Sequence, residues 1–348
     1  MYILGIESSC DETAVAIIER GEHSRVITEQ IKSQIPLHAK YGGVVPEIAS
    51  RNHYEVIDQL TTSALKQAGL TIHHIDLISL TQGPGLLGPL IIGLSFAKAI
   101  AYANKIPLVA VDHILSHIEA AFIDNPEIEY PLVSLVVSGG HTTLFYQEDK
   151  WNTQVLAKTR DDAVGEVLDK VAKFFNLGYP GGPILDKLYK GGSPDRFKFR
   201  FPKMSDGSDD FSFSGYKTAA IRQQEIDAAS ITPDSPILKD LIASFLNSIM
   251  DYLLFKAQWA IEKTKPRSLI VSGGVSRNTL LREKFTGAFR DSSVRLYLSS
   301  PQFCTDNASM VAWLGYEKYI KYPNINYFDL RLNAYSRALF KNSGSKFR

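Results

Sequence analysis

Two stretches of this 348-residue chain follow one plan, and few architectures use that plan twice. YILGIESSCDETAVAII at 2–18 and PLVSLVVSGGHTTLFYQ at 131–147 each set apolar, β-branched runs on both sides of a small polar turn, the pattern of a hairpin. DLISLTQGPGLLGPLIIGLSFAKAIAY at 76–102 and SLIVSGGVSRNTLLREKF at 268–285 each then read as buried strand, glycine turn and helix. Hairpin followed by strand–turn–helix, present twice, predicts a duplicated α/β lobe. In that arrangement, turns at the carboxyl ends of strands from both lobes face a shared cleft. The expected division is 1–124 and 125–310 for the two lobes, with a soft boundary in DNPEIEYP at 124–131. Residues 311–348 are expected to form a C-terminal helix and basic tail packing back on them.

Length and composition leave room for this. A chain of this size can bury two cores, and 45% hydrophobic with 22% charged residues is an ordinary globular balance. Lys plus Arg number 38 against 37 Asp plus Glu, so any nucleic-acid contact has to come from a local patch. Two cysteines, Cys10 and Cys304, exclude a disulfide framework and fit a reducing cytosol. The first residues lack the basic region of a signal or transit peptide, and a cytoplasmic protein without a membrane partner is expected. The most apolar run, GLLGPLIIGLSFAKAIAYA, is interrupted by Gly88, Pro89, Gly93 and Lys98 and reads as a buried helix.

The glycine turns SGGHTT at 138–143 and SGGVSRN at 272–278 both follow β-branched runs. Glycine there lets main-chain N–H groups approach a phosphate, although it also simply ends strands. Comparable turns at corresponding places in both halves favour a nucleotide-like ligand. Neither turn matches a phosphate loop ending in Gly-Lys-Ser/Thr or a dinucleotide fingerprint. The duplicated lobe is similar instead to the RNase H-like lobes of the actin, Hsp70 and sugar-kinase (ASKHA) superfamily.

VDHILSHIEAA at 111–121 places His113 and His117 four apart on a predicted helix, near enough to share one ion, or simply to form a polar face. Asp112 is placed to cap that helix. The metalloprotease motif needs Glu directly after the first His; Ile114 stands there. A two-histidine site normally adds a carboxylate. Asp306 in SSPQFCTDNASM is the candidate, reaching across a cleft from the second half, or capping a helix from about Asn307 to Tyr319. Cys304 reads as a small buried hydrophobe.

Together with GIESSCDETAVA, HAKYGGVVPEIASRNH, TQGPGLLGPLIIG, DHILSHIEAA, VVSGGHT, DDAVGEVLDKVAK, GYPGGP, DFSFSGYKTA, SGGVSRN and FCTDNASM, the chain resembles the tRNA N6-adenosine threonylcarbamoyltransferase family, its bacterial branch especially. The resemblance implies transfer of a threonylcarbamoyl group from threonylcarbamoyl-AMP to N6 of the adenosine on the 3′ side of the anticodon (t6A modification), in tRNAs reading codons that begin with A, with release of AMP. It implies a divalent metal, Fe2+ favoured and Zn2+ the alternative, on His113, His117 and Asp306. It implies donor contacts from Val136, Val137, Ser138, Gly139 and Gly140, with Asp169, Gly182, Asp186 and Asn278 lining the nucleoside part. Asp11 and Glu12, in the first hairpin turn, are the candidates for moving the proton, though acids in turns are also plain turn formers. Implied partners are tRNA, a catalytically reduced ASKHA paralogue (TsaB type) and a small P-loop ATPase (TsaE type). Two departures stand out: Ile114-Leu115-Ser116 between the histidines, and Val136 where archaeal relatives often place a tyrosine.

DKLYKGGSPDRFKFRFPK at 186–203 interleaves six basic residues with Tyr189, Phe197, Phe199 and Phe201, and the tail RLNAYSRALFKNSGSKFR carries five basic residues and no acid. Such interleaving suits a backbone groove with stacked bases, or a solvated loop and a frayed end. Rival readings are an ASKHA-type small-molecule kinase or ATPase, which gives the histidines no task, and a non-catalytic nucleotide-binding scaffold.

Overall fold

The computed structural model describes residues 1–22, 24–226 and 235–338. The chain opens with a meander, β1 (Tyr2–Glu7), β2 (Glu12–Glu19) and β3 (Arg25–Ser33), followed by α1 (Ile35–Ala39) and α2 (Pro46–Ala68). Then come β4 (Leu77–Gly83), α3 (Leu87–Asn104), β5 (Leu108–Asp112) and α4 (His113–Asp124). The sheet order is β3-β2-β1-β4-β5, antiparallel through the meander and parallel from β1 to β5.

The second unit repeats it. β6 (Leu132–Val137), β7 (Thr142–Asp149) and β8 (Asn152–Lys158) form the meander, and α5 (Val164–Phe174), α6 (Gly181–Leu188), α7 (Ser214–Ile226) and α8 (Pro236–Thr264) follow. β9 (Ser268–Ser272), α9 (Thr279–Phe289) and β10 (Arg295–Leu298) complete it. Read from β8, the order β8-β7-β6-β9-β10 is that of β3-β2-β1-β4-β5. The predicted duplication is therefore present strand for strand.

Each central strand is buried on both faces, and the period-two alternation assigns them. In the first unit Leu4, Ile6, Val15, Ile17, Ile78 and Leu80 join one core, while Ile3, Ile18, Leu77, Val109 and Val111 join another. Helix α2 begins at Pro46, with proline in the first turn, and ends at Gly69 with φ 67°. Helix α3 is long and apolar enough to span a membrane by length and composition. In this fold Leu90, Gly93, Leu94, Ala97 and Ala101 lie buried, and Lys98 Nζ donates to Leu332 O at 2.5 Å.

The division differs from the expected one at its far end. The units are Met1–Pro126 with the described chain from Ser300 onward, and Glu127–Ser299. α10 (Pro301–Cys304) and α11 (Ala308–Lys321) thus belong to the first unit, not the second, and α11 packs on that unit's sheet and on α4. The reason is packing: that sheet's second face needs a cover, and Met310, Val311, Ala312 and Trp313 supply it. Small residues set the distance. A Cβ on Gly5 would lie 2.2 Å from Ala308 O, one on Gly315 would lie 2.0 Å from Ser79 Oγ, and Ser79 Oγ donates to Val311 O at 2.7 Å. Past α11 the chain laces back over the same unit, with Leu108 N donating to Tyr327 O at 2.8 Å and Gln82 Nε2 to Asn333 O at 2.8 Å. Residues 339–348 of the basic tail lie outside the described residues.

Candidate metal centre and glycine turns

Strand β5 hands over to α4 at Asp112, whose Oδ1 accepts from Ile114 N at 2.9 Å and Leu115 N at 3.0 Å. The predicted cap is present, and Tyr335 Oη donates to the other oxygen at 2.7 Å. The cap starts α4 at His113 and puts His117 one turn on, the two rings 4.7 Å apart between centroids. Both rings are buried. Asp306 Oδ1 lies 3.2 Å from His117 Nε2 and 3.6 Å from His113 Nε2. One ligand atom from each of the three lies within 4.8 Å of the others. The trio lies wholly within the first unit; the expectation that Asp306 reaches over from the second half is corrected, because α11 brings it there.

A fully buried carboxylate stands behind the trio. Glu7, the last residue of β1, accepts from Ser9 N at 2.6 Å and Thr81 Oγ1 at 2.6 Å, and its Oε2 lies 3.0 Å from His113 Nδ1. Ser9 Oγ is 3.2 Å from the same nitrogen. A carboxylate accepts only, so Nδ1 carries the proton and the Nε2 lone pair faces Asp306 and His117. This is the carboxylate–histidine pairing that orients a metal ligand. Burial opposes charge on His113, yet Glu7 and Asp306 outweigh it and push the ring up to about 9, so without an ion Nε2 is protonated as well and a metal gains its lone pair by displacing that proton. His117 has both ring nitrogens buried without a hydrogen bond. An orphaned imidazole beside a carboxylate is costly unless something sits between them, and a cation does so. The donor set fits a divalent metal.

Asp11 closes the turn between β1 and β2, and Glu12 is the first residue of β2 rather than part of the turn. Ser33 Oγ donates to Glu12 Oε1 at 3.1 Å, while burial, and then the charge of Asp11, raises Glu12 well above the carboxylate range. Of the two histidines of HAKYGGVVPEIASRNH, His53 braces this turn and His38 the segment between α1 and α2, tasks the sequence did not reveal. His53 Nε2 donates to Cys10 O at 3.0 Å, so its Nδ1 accepts from Thr13 Oγ1 at 2.7 Å. His38 Nδ1 accepts from Val45 N at 3.3 Å, and its Nε2 donates to Gln34 Oε1 at 3.2 Å. Glu7 was equally unforeseen; the available signal was an acid closing an otherwise apolar strand. Cys304 is buried, its thiol donating to Ser300 O at 3.3 Å, and it is not among the three grouped ligands.

The second unit gathers its own predicted residues. Val136 and Val137 are fully buried strand residues, so their side chains face the protein, and what the turn offers outward begins at Ser138. Gly139 and Gly140 are exposed, with open space where a Cβ would stand. Gly165 N donates to Ser138 O at 3.2 Å, tying α5 to the turn, and Gly181 N donates to Asp169 Oδ1 at 2.7 Å, tying α6 to α5. Gly182 follows at the start of α6. Asp186 accepts from Thr279 N at 3.0 Å and Thr279 Oγ1 at 2.8 Å, tying α6 to α9. Asn278 caps α9 through Leu281 N at 3.0 Å, leaving its Nδ2 buried and without a partner. Asp169 and Asp186 thus brace helices in this structure, and Asn278 keeps an unused donor.

The basic–aromatic strip divides its labour. Phe197 and Phe199 pack on the core, Phe199 lying 5.7 Å from Phe245 and 6.3 Å from Tyr216 between centroids, so they are not platforms for bases. Lys198, Arg200 and Lys203 alternate outward, exposed. Arg196 is paired with Asp240 at 2.8 Å.

Residues 25–313 match the sequence profile of TsaD, tRNA N6-adenosine threonylcarbamoyltransferase. A relative of that name from Thermodesulfovibrio yellowstonii is 45% identical over 322 residues, covering 92% of this chain and 95% of the relative. Another, from Syntrophobacter fumaroxidans, is 46% identical over 319 residues, covering 91% and 94%. Among solved structures, component A of (R)-2-hydroxyglutaryl-CoA dehydratase from Acidaminococcus fermentans superposes with a TM-score of 0.54 at 14% identity, covering 92% of this chain and 99% of that one. Full-length HypF gives 0.59 at 12% identity, covering 94% and 47%. Those two likenesses concern the fold alone, the duplicated α/β architecture. Sequence and fold agree, and the chain belongs to the tRNA N6-adenosine threonylcarbamoyltransferase family, transferases of tRNA modification.

Proposed function

We propose that the threonylcarbamoyl group arrives as threonylcarbamoyl-AMP and passes to N6 of the adenosine beside the anticodon, on its 3′ side, in tRNAs reading codons that begin with A. A bond forms from N6 to the carbamoyl carbon, the bond from that carbon to the phosphate oxygen breaks, AMP leaves, and N6 gives up one proton. The observation that carries this reading is the trio of His113, His117 and Asp306 backed by Glu7. Two imidazoles and one carboxylate suit Fe2+ with open positions, with Zn2+ second, and such an ion supplies Lewis acidity to the donor's oxygens.

The rest falls to the chain. Glu7 keeps the His113 Nε2 lone pair forward. Asp11 receives the N6 proton, and Glu12, whose carboxyl is pushed well above the carboxylate range by burial and then by Asp11, hydrogen-bonds to it. Ser138, Gly139 and Gly140 hold the donor's phosphate against the main chain. Asp169, Gly182, Asp186 and Asn278 line its nucleoside part, the acids through lone pairs their helix-capping bonds leave over and Asn278 through Nδ2. The adenine amine is a weak nucleophile, so holding it in line with the carbonyl is where the site gains most. The family resemblance supports the remaining proposals: a catalytically reduced paralogue and a small P-loop ATPase as partners, and a cytoplasmic setting.

Reconstitution tests this. Labelled threonine, bicarbonate, ATP, the adenylate-making enzyme, both partner proteins and tRNA are incubated with the chain or with His117→Ala. Label in tRNA with the wild type and loss of at least a hundredfold in the variant are expected. No label with all components present, or multiple-turnover ATP hydrolysis by the chain alone without tRNA, refutes the transferase mechanism.

A further inference from the structure

Asp306 lies in the turn between α10 and α11, and a ligand on a turn is only as well placed as the turn. The first N–H groups of a helix find no partner inside it, and in α11 two side chains share them. Asn307 Oδ1 accepts from Met310 N at 2.9 Å, and its Nδ2 donates to Phe303 O at 3.2 Å and Thr305 O at 2.8 Å. Glu29, far away on β3, takes the others: Ala308 N donates to Oε1 at 2.7 Å and Ser309 N to Oε2 at 3.2 Å, with Ser309 Oγ as a third donor to Oε2. When ionised, it also places a negative charge at the positive end of a 14-residue helix. The next strand over, β2, runs Ala14 and Ala16 beneath Ala308, so nothing bulky separates α11 from the sheet.

We propose that Glu29 is a positioning residue for the metal site: by fixing the first turn of α11 from β3, it sets where Asp306 presents its carboxylate to His113 and His117. Asn307 binds the turn to itself and to α10; Glu29 alone of the two binds it to the sheet. The inference rests on reading the trio as a metal centre.

The full chain, stripped with a chelator, is titrated with Zn2+ against a chromophoric competitor, and with Co2+ for its ligand-field absorption. Glu29→Ala is expected to lose about tenfold in Zn2+ affinity, the lower end of what supporting residues around a metal give, and to change the Co2+ band shape. Ser309→Ala, losing one of three bonds, loses less, and the double variant loses no more than Glu29→Ala because both act through one contact. Should Glu29→Ala not fold, Glu29→Gln keeps the shape and turns an amide toward the helix N–H groups, so it too is expected to bind Zn2+ more weakly. Wild-type affinity and band shape in folded variants, with only Tm lowered, would mean that Glu29 merely stabilises α11 and would overturn the proposal. Wild-type protein that takes up neither ion overturns instead the metal reading beneath it.

Discussion

At His113 the deciding atom is Nδ1, not the nitrogen that faces Asp306. Its proton is committed to Glu7, and this commitment turns a buried histidine into a ligand. Glu7→Gln offers an amide in its place, free to donate to Nδ1 and drive the proton onto Nε2. Chelator competition should show metal affinity lowered about 10–100-fold, with the apo protein still folded; unchanged affinity would remove Glu7 from the site. Glu29 makes a second prediction, through pH. Burial raises its carboxyl from 4.5 to about 7, against the pull of its donors from Ser309 and Ala308. Because the folded value is the higher, the folded state holds the proton more tightly. Stability from this group is therefore present below pH 4.5 and lost as pH rises through 7. The shift corresponds to no more than about 3 kcal/mol, less after solvent screening of a partly exposed group. Urea unfolding of metal-free protein at pH 5 and pH 8 should show a larger fall in the wild type than in Glu29→Gln, which has no such proton to lose. Equal falls would show that the carboxyl titrates normally.

Among the elements, glycines that look alike in the sequence perform opposite tasks. Gly5 admits α11 to β1: an added Cβ would meet Ala308 O at 2.2 Å and the Ala312 Cβ at 2.9 Å, neither of which can swing away. Gly140 meets nothing within 4 Å. Gly5→Ala should cost about 1–3 kcal/mol by overpacking and displace Asp306 with α11, seen as a lower urea midpoint together with weaker metal binding. Gly140→Ala should leave the midpoint unchanged while weakening AMP binding measured by calorimetry, since its openness serves an approaching phosphate. A stable Gly5→Ala, or a Gly140→Ala with unaltered AMP affinity, would contradict these assignments. Spacing alone separates neither case, because what distinguishes the two glycines is the neighbour that the fold supplies.

Over the whole molecule, the hairpins and strand–turn–helix runs were legible because a period of two in apolar residues is local information, and its repetition pointed to a duplicated lobe, though not to the third strand of each meander or to the order of strands in the sheets. The two histidines and the Asp112 cap were legible for the same reason. Membership of α11 was not, since it depends on which sheet face lacks a cover, and Glu7 and Glu29 were hidden because their partners lie far along the chain. The basic strip shows both outcomes at once. Its composition suits a groove for RNA with stacked bases or a solvated loop, and alternation along an extended segment sends Phe197 and Phe199 into the core while the cations and Phe201 stay exposed. Binding there should accordingly be electrostatic and indifferent to base identity. Arg196 is spent on Asp240, which also accepts from Ser193 N at 2.6 Å, so the informative set is Lys198, Arg200 and Lys203. Replacing all three with glutamine removes up to three phosphate contacts, and at roughly 0.7 per contact for unpaired strands the slope of log affinity against log salt should flatten by about 2. Melting temperature should hold, because none of the three packs inward. A slope equal to that of the wild type, measured by filter binding across a salt series, would place the tRNA elsewhere on the surface.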